Sequence, residues 1–345
     1  MKKVMILLAI VLALPLAVNA EIFPKVGTAG AQFLKIGVDA RAVGMGQAYV
    51  PVADDISSVY WNPGGLALKD NDQIFFDHTV WVADVNREFV AYSMVTDYGV
   101  FAFSVNYLYS DWMEKTTEEV FGPNGEEFMW SDLAAGITYS QAFTDKFSFG
   151  VTAKYIREEV EDNNVNGMSV DLGSVYNTQW RNTIVAMSLR NFGANLKFDI
   201  DNDGDGLTDE DPFDLLDNDG DGIIDEDTEE LSYKLPMQFS FGISSDIMGN
   251  RFEDDTYLLG SFQINNSVDR EETFDLGFEY KYGNFFLRAG QQMNYDAHGF
   301  NAGFGVMVPT SIALFRFDYS WSDLGYLSED FLNTPHRLTL KMELN

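Results

Sequence analysis

Two acidic runs carry the most specific chemistry in the sequence. Asp201-Asn202-Asp203-Gly204-Asp205-Gly206-Leu207-Thr208-Asp209-Glu210-Asp211 is followed by Asp217-Asn218-Asp219-Gly220-Asp221-Gly222-Ile223-Ile224-Asp225-Glu226-Asp227, which starts sixteen residues after the first. Each run has carboxylates at positions 1, 3, 5 and 9 and glycine at position 6. A hard cation such as Ca²⁺ takes roughly six to eight oxygens, and alternating aspartates wrap them around one ion. The candidate ligands are Asp201, Asp203, Asp205, Asp209 and Asp211, with the Leu207 carbonyl. In the second run they are Asp217, Asp219, Asp221, Asp225 and Asp227, with the Ile223 carbonyl. Glu210 and Glu226 are further oxygen donors. Position 12 holds Pro212 and Thr228, so the bidentate glutamate of a helix-flanked calcium loop is missing. Without a cation, so many carboxylates repel one another. The expectation is a structural Ca²⁺ that orders this stretch.

The elements around the acidic stretch are strands. From about residue 73 the chain alternates apolar and polar side chains, the period-two signature of a two-faced strand. Phe239, Phe241 and Ile243 oppose Ser240, Gly242 and Ser244; Phe274, Leu276 and Phe278 oppose Asp275, Gly277 and Glu279. About fourteen such runs lie near 73–81, 88–96, 99–109, 132–142, 146–158, 167–176, 183–191, 235–245, 256–265, 272–281, 284–293, 299–308, 311–320 and 335–344. Each is about ten residues long, enough for a tilted strand to cross a bilayer. Tight turns at 97–98, 144–145, 282–283 and 309–310 alternate with long connections at 110–131, 159–166, 192–234 and 321–334. Outer-membrane barrels keep short turns inside and long loops outside. The connection 246–255 is long on the short-turn side. The expected fold is all-β: a 14-stranded transmembrane antiparallel β-barrel. The acidic insertion at 199–230 then lies in an external loop.

The start of the chain reads as an export signal. Lys2 and Lys3 precede an apolar run from Val4 to Leu14, and Val18-Asn19-Ala20 places small residues before Glu21. The expected organisation is a signal peptide over 1–20, a plug over 21–70 and a barrel over 71–345. The formal net charge is −32 at pH 7 and there is no cysteine. Such a chain repels nucleic acid and suits divalent cations; thiolate chemistry and disulfides are excluded. His78, His298 and His336 are scattered, with no zinc spacing and no nucleophile–base pattern beside them. Gly44-Met45-Gly46 lacks the context of a dinucleotide loop. An enzyme is not expected. Arg288, Arg316 and Asp318 read as a satisfied polar interior.

Between signal and strands lies the plug. Gly44 and Gly46 flank Met45, and Asp54-Asp55 precede a short helical turn whose amides an aspartate can cap. Asn62-Pro63 should end that turn, and Gly64-Gly65 should allow a tight reversal. The run Phe33–Ala48, with Val52-Ala53-Asp54-Asp55 and Trp61-Asn62-Pro63-Gly64-Gly65-Leu66-Ala67, resembles the opening of the PorV/PorQ family, within a wider FadL-like group of outer-membrane barrels. The resemblance is specific over about 45 residues and only architectural beyond them. Gly65 departs from the family's alanine, and the terminal Leu344-Asn345 lacks the aromatic common in barrel assembly signals. Separately, the acidic runs resemble thrombospondin type 3 or dockerin-like repeats.

The resemblance to PorV/PorQ implies a 14-stranded barrel in the outer membrane of a Gram-negative-type envelope, in contact with its lipid. It also implies a hatch whose motif residues are Gly44, Gly46, Asp54, Asp55, Asn62, Pro63 and Gly64. Two functions follow from it. PorV-like members handle secreted protein cargo beside a translocon. FadL-like members pass hydrophobic ligands.

Overall fold

The computed structural model describes residues 27–116, 123–161, 163–197, 232–295, 297, 299–325 and 334–344. The alternating runs pair into one closed antiparallel barrel of fourteen strands. In chain order the barrel strands begin with β1 (Gln73–Val80), β2 (Asn86–Thr96) and β3 (Gly99–Tyr109). A small hairpin follows, β4 (Met113–Thr116) with β5 (Pro123–Phe128). The barrel resumes with β6 (Trp130–Ala142), β7 (Phe147–Val160), β8 (Asn163–Asn177) and β9 (Ile184–Gly193). A two-residue ladder, β10 (Leu196–Lys197) with β11 (Ser232–Tyr233), closes the base of the acidic insertion. The last seven barrel strands are β12 (Gln238–Met248), β13 (Thr256–Ser267), β14 (Arg270–Tyr282), β15 (Phe285–Met293), β16 (Phe300–Pro309), β17 (Ala313–Ser322) and β18 (His336–Leu344). Closure comes from β1 on β18, in register from Gln73↔Glu343 to Val80↔His336.

Side-chain alternation decides which face meets lipid. Ser240 and Ser244 are buried while Phe239 and Ile243 are exposed; Thr273, Asp275 and Glu279 are buried on β14. The polar face therefore points into the lumen, and the apolar face points out. Exposed Phe76, Phe103, Ile137, Phe304 and Phe317 belong to that outer band. Tyr98, Phe143, Trp180, Tyr282 and Phe285 are exposed where the tight turns lie, and Trp112 at the opposite rim. Aromatic girdles of this kind mark the two bilayer interfaces.

Two connections differ from the sequence reading. The stretch 159–166 reads as a long loop, but β7 runs to Val160 and β8 starts at Asn163. The polar Glu158, Glu159, Asn163 and Asn164 continue the ladder above the apolar band. Pairing needs backbone, not apolar side chains, so alternation understates the strand length there. The stretch 246–255 shortens to 249–255, because β12 continues through an irregularity between Asp246 and Met248.

The calcium-ligand candidates at 201–227 and His298 lie outside the described residues. Among the described residues, no cluster of three or more histidine, aspartate or glutamate side chains could hold a metal ion.

Phe103 sits near the middle of β3 on the lipid face. Phe103→Arg is expected to destabilise the barrel by about 2–4 kcal/mol, the scale for a cation near the bilayer midplane. Reversible denaturant titration in phospholipid vesicles measures this; an effect below about 1 kcal/mol would show that the face is not lipid-exposed.

Candidate functional site

The candidate site is the lumen and the segment that fills it. Residues 27–72 run from one rim to the other before entering β1. Gly30 N donates to Lys234 O at 2.9 Å, at the base of the acidic insertion. Gln32 and Lys35 hydrogen-bond Asp269 in the β13–β14 turn, at 2.8 Å each. At the opposite rim Leu344 N donates to Asp72 O at 2.8 Å. By loop length, the segment enters the lumen at the outer rim and leaves at the inner one.

Its local structure is short and irregular. Helix α1 (Ala40–Gly44) starts where the Asp39 carboxylate accepts from Arg41 N at 3.0 Å. Helix α2 (Ser58–Trp61) follows Asp55, whose Oδ1 accepts from Ser57 N at 3.0 Å. It ends at Asn62, whose extended backbone (φ −160°, ψ 96°) leads into Pro63. Asn62 Oδ1 accepts from Gly64 N, while Nδ2 donates to Val50 O and Ser174 O, each at 3.1 Å. Asn62 thus ties two parts of the hatch to β8. Gly64 and Gly65 do not make the expected reversal. They lie in a 3₁₀ segment, Pro63–Leu68. Their missing Cβ matters for packing: one at Gly64 would meet Gly173 O at 2.8 Å, and one at Gly65 would overlap Ala53 O. Gly46, at φ +64°, is the motif glycine that needs left-handed backbone.

Irregular backbone inside a barrel must find hydrogen-bond partners. The wall supplies them from side chains. Gln263 Oε1 accepts from Tyr49 N and Val50 N at 3.1 and 2.9 Å. Gln73 Oε1 accepts from Ile56 N at 2.7 Å, and Thr339 Oγ1 from Ala40 N at 2.8 Å. Ser148, Ser244 and Ser261 donate to Gly64 O, Pro51 O and Ala48 O at 2.6–2.9 Å.

An ionic cluster joins hatch to wall. Arg41, 4% exposed, reaches Glu279 through Nε and Nη2 at 3.0 Å each, and its Nη1 meets Asp54 at 2.7 Å. Glu279 also takes Arg288 at 2.7 Å and Arg316 at 3.3 Å. Asp318 pairs with both arginines, at 2.8 and 3.0 Å. Lys341 bridges Asp39 and Asp55 at 2.6 Å each. Near the outer rim, burial alone would raise Asp269, but hydrogen bonds from Lys35, Ser267 and Gln32 hold it at about 2. Of the motif residues, Asp54, Asp55, Asn62, Pro63 and Gly64 all touch this interface. Gly44 faces Gly303, and Gly46 faces Gly290.

The alternation did not single out the glycines of the wall. Gly150 faces Gly173 across β7–β8, and Gly277 faces Gly290 across β14–β15. A Cβ at Gly150 would overlap Pro63; one at Gly277 or Gly290 would overlap Met45 or Gly46. The available signal was glycine inside a strand, which marks close approach of another backbone.

Two cavities flank the hatch. One, of about 110 Å³ in the outer half of the lumen, is lined mostly by polar side chains, Arg190, Gln263 and Gln292 among them. The other, of about 310 Å³, opens at the inner mouth, where Arg251, Lys281 and Glu343 stand among the apolar Phe252, Phe286, Met307 and Leu314. Between them, Met45, Tyr49, Ile56 and Trp61 pack on the inward Phe75, Phe89, Leu259 and Phe286.

The family profile described as type IX secretion system protein PorV matches residues 19–208. The chain belongs to the PorV family. Its place is the outer membrane, and the chemistry of the PorV family is not enzymatic. No curated protein matches the chain. Among solved structures, the Pseudomonas putida toluene transporter TodX is similar at a TM-score of 0.55 and 11% identity, covering 89% of this chain and 97% of TodX. The CymD monoaromatic hydrocarbon channel is similar at 0.52 and 12%, covering 90% of this chain and 97% of CymD. At these identities the likeness shows the barrel fold alone.

Gly173→Ala is expected to push Asn62 and Pro63 from their seat, an overpacking cost of about 1–3 kcal/mol. Hydrogen exchange should speed up over 50–66 while the barrel strands stay protected. Gly299→Ala, where the nearest atom to the new Cβ is at 3.4 Å, is the control. Equal exchange in both variants would mean that the hatch is not seated by these glycines.

Proposed function

We propose that this PorV-family barrel handles secreted protein cargo at the outer membrane, in a type IX-like system, by binding and not by catalysis. The observation that supports the reading is the filled lumen. A hatch tied to both rims is held by buried ion pairs, and the cavity on its outer side is lined mostly by polar side chains. Among the described residues every barrel strand pairs with both neighbours, with register irregularities in the β8–β9, β12–β13 and β13–β14 ladders. The partner surface is then the set of external loops. The other reading, FadL-like passage of hydrophobic small molecules, draws on the family resemblance and needs a route that the described residues do not offer.

Gentle purification from native outer membranes tests this. Secreted proteins sharing a C-terminal domain, or a large translocon subunit, are expected to co-purify. A stoichiometric apolar molecule with no protein partner would replace cargo handling with transport.

The acidic insertion at 199–230 is proposed to bind Ca²⁺ outside the cell; the reading rests on the repeated aspartate spacing. Chelation is expected to make this insertion cleavable by protease, and added Ca²⁺ to protect it again. Asp203→Asn with Asp219→Asn should abolish the protection. Cleavage at the same rate with and without chelator would dismiss the ion.

A further inference from the structure

The outer cavity holds a cation that the fold leaves incompletely satisfied. Arg190 is 5% exposed and stacks on Tyr60 and Trp61, its guanidinium carbon 5.0 and 5.2 Å from the ring centroids. Among the described residues its Nε and Nη1 have no hydrogen-bond partner. Arg190 also makes no ion pair there, although it lines the cavity together with Lys35, Arg270, Arg337 and Asp275. Gln292 Nε2, another donor of the lining, is likewise unpartnered among the described residues.

A buried charged donor without an acceptor is costly, and aromatic faces satisfy charge but not N–H directionality. Lys35 already pairs with Asp269 and Arg337 with Asp77. Arg190 has no such partner. Asp275, the one acid of the lining, accepts from Asn265 Nδ2 at 2.7 Å through Oδ2, while its Oδ1 is unpartnered and it forms no ion pair among the described residues. A chain of net charge −32 thus encloses a cavity with four cations and one carboxylate on its walls.

We propose that this cavity binds a carboxylate group, with Arg190 as the charge partner and Gln292 as a further donor. Size and charge select that class. About 110 Å³ admits a carboxylate and a few atoms more, roughly the share of four waters in the liquid. The Asp275 carboxylate in the same lining disfavours a doubly charged phosphate. The polar lining disfavours an amphiphile with a long tail. The carboxylate belongs either to a free small organic acid or to the C-terminus of a polypeptide. The inference goes beyond the cargo reading and does not depend on it.

Isothermal titration of the detergent-solubilised full-length protein tests the proposal. The probes are N-acetyl-alanine, N-acetyl-Gly-Gly-Ala, and the C-terminal amide of each. At least one free acid is expected to bind, with its amide weaker by about ten-fold or more, the scale of one charge-assisted hydrogen bond. Arg190→Gln should produce a similar loss for the acid. Equal affinity of N-acetyl-alanine and the tripeptide assigns the site to small acids; binding of the tripeptide alone assigns it to chain termini. Equal binding of acid and amide, or no binding of either acid at millimolar concentration, overturns the proposal and leaves the donors to water. The acid–amide comparison uses the unaltered protein, so it stands even where Arg190→Gln disturbs the stacking on Tyr60 and Trp61.

Discussion

Arg41 reaches from the hatch to Glu279 on the wall, and much of the interior is organised around that contact. Glu279 is fully buried and receives three arginines, one from the hatch and two from the barrel. The hatch brings Asp39, Asp54 and Asp55 with Arg41; the wall brings Arg288, Arg316 and Lys341 with Glu279 and Asp318. Each side alone carries unbalanced charge of opposite sign. Leaving one partner of a buried pair uncompensated costs on the order of 3–5 kcal/mol. The empty barrel and the free hatch are therefore both poor states, and each is relieved by the other.

The need for such a device follows from barrel size. Inward side chains fill a barrel of about eight strands, whereas wider barrels leave space. Fourteen strands leave room for a peptide segment, and a peptide brings unsatisfied backbone. The wall meets that backbone with Gln73, Gln263, Thr339 and three serines. It meets its bulk with glycine pairs that let Pro63 and Met45 come within contact of the strands. Charge orients the hatch, amide side chains satisfy it and glycines admit it. All three sit on the lumen face of strands whose other face is apolar.

Those roles were unequally legible in the sequence. Strand number, order and facing were readable, because alternation is a local signal and lipid enforces it on one face. The polar character of Arg288, Arg316 and Asp318 was readable for the same reason. Arg41, which shares Glu279 with those two arginines, was not, since it lies 238 residues from Glu279 and only closure of the barrel brings the two together. The ends of β7 and β8 were missed because residues beyond the lipid band need not be apolar to pair. Gly64-Gly65 invited a turn reading. The reason for those glycines, contact with Gly173 and Ala53, exists only after the hatch is docked. Arg190 stood out in no motif, because its environment is made by Tyr60 and Trp61 from another part of the chain.

The way the hatch is tied bears on what the barrel does. A plug fastened at one end can swing aside at the cost of its contacts alone. This one is fastened at both ends, through Gly30, Gln32 and Lys35 at the outer rim and through continuity with β1 at the inner. Clearing the lumen would require breaking the Lys35–Asp269 anchor, the Arg41–Glu279 cluster and the Asn62 seat together, while the segment still led into β1. Transit of a small apolar molecule does not supply energy for that, since such a molecule gains little from the polar cavity on the outer side. A protein partner at the outer rim faces no such cost. It can bind the loops with the lumen closed, as the proposed cargo handling requires.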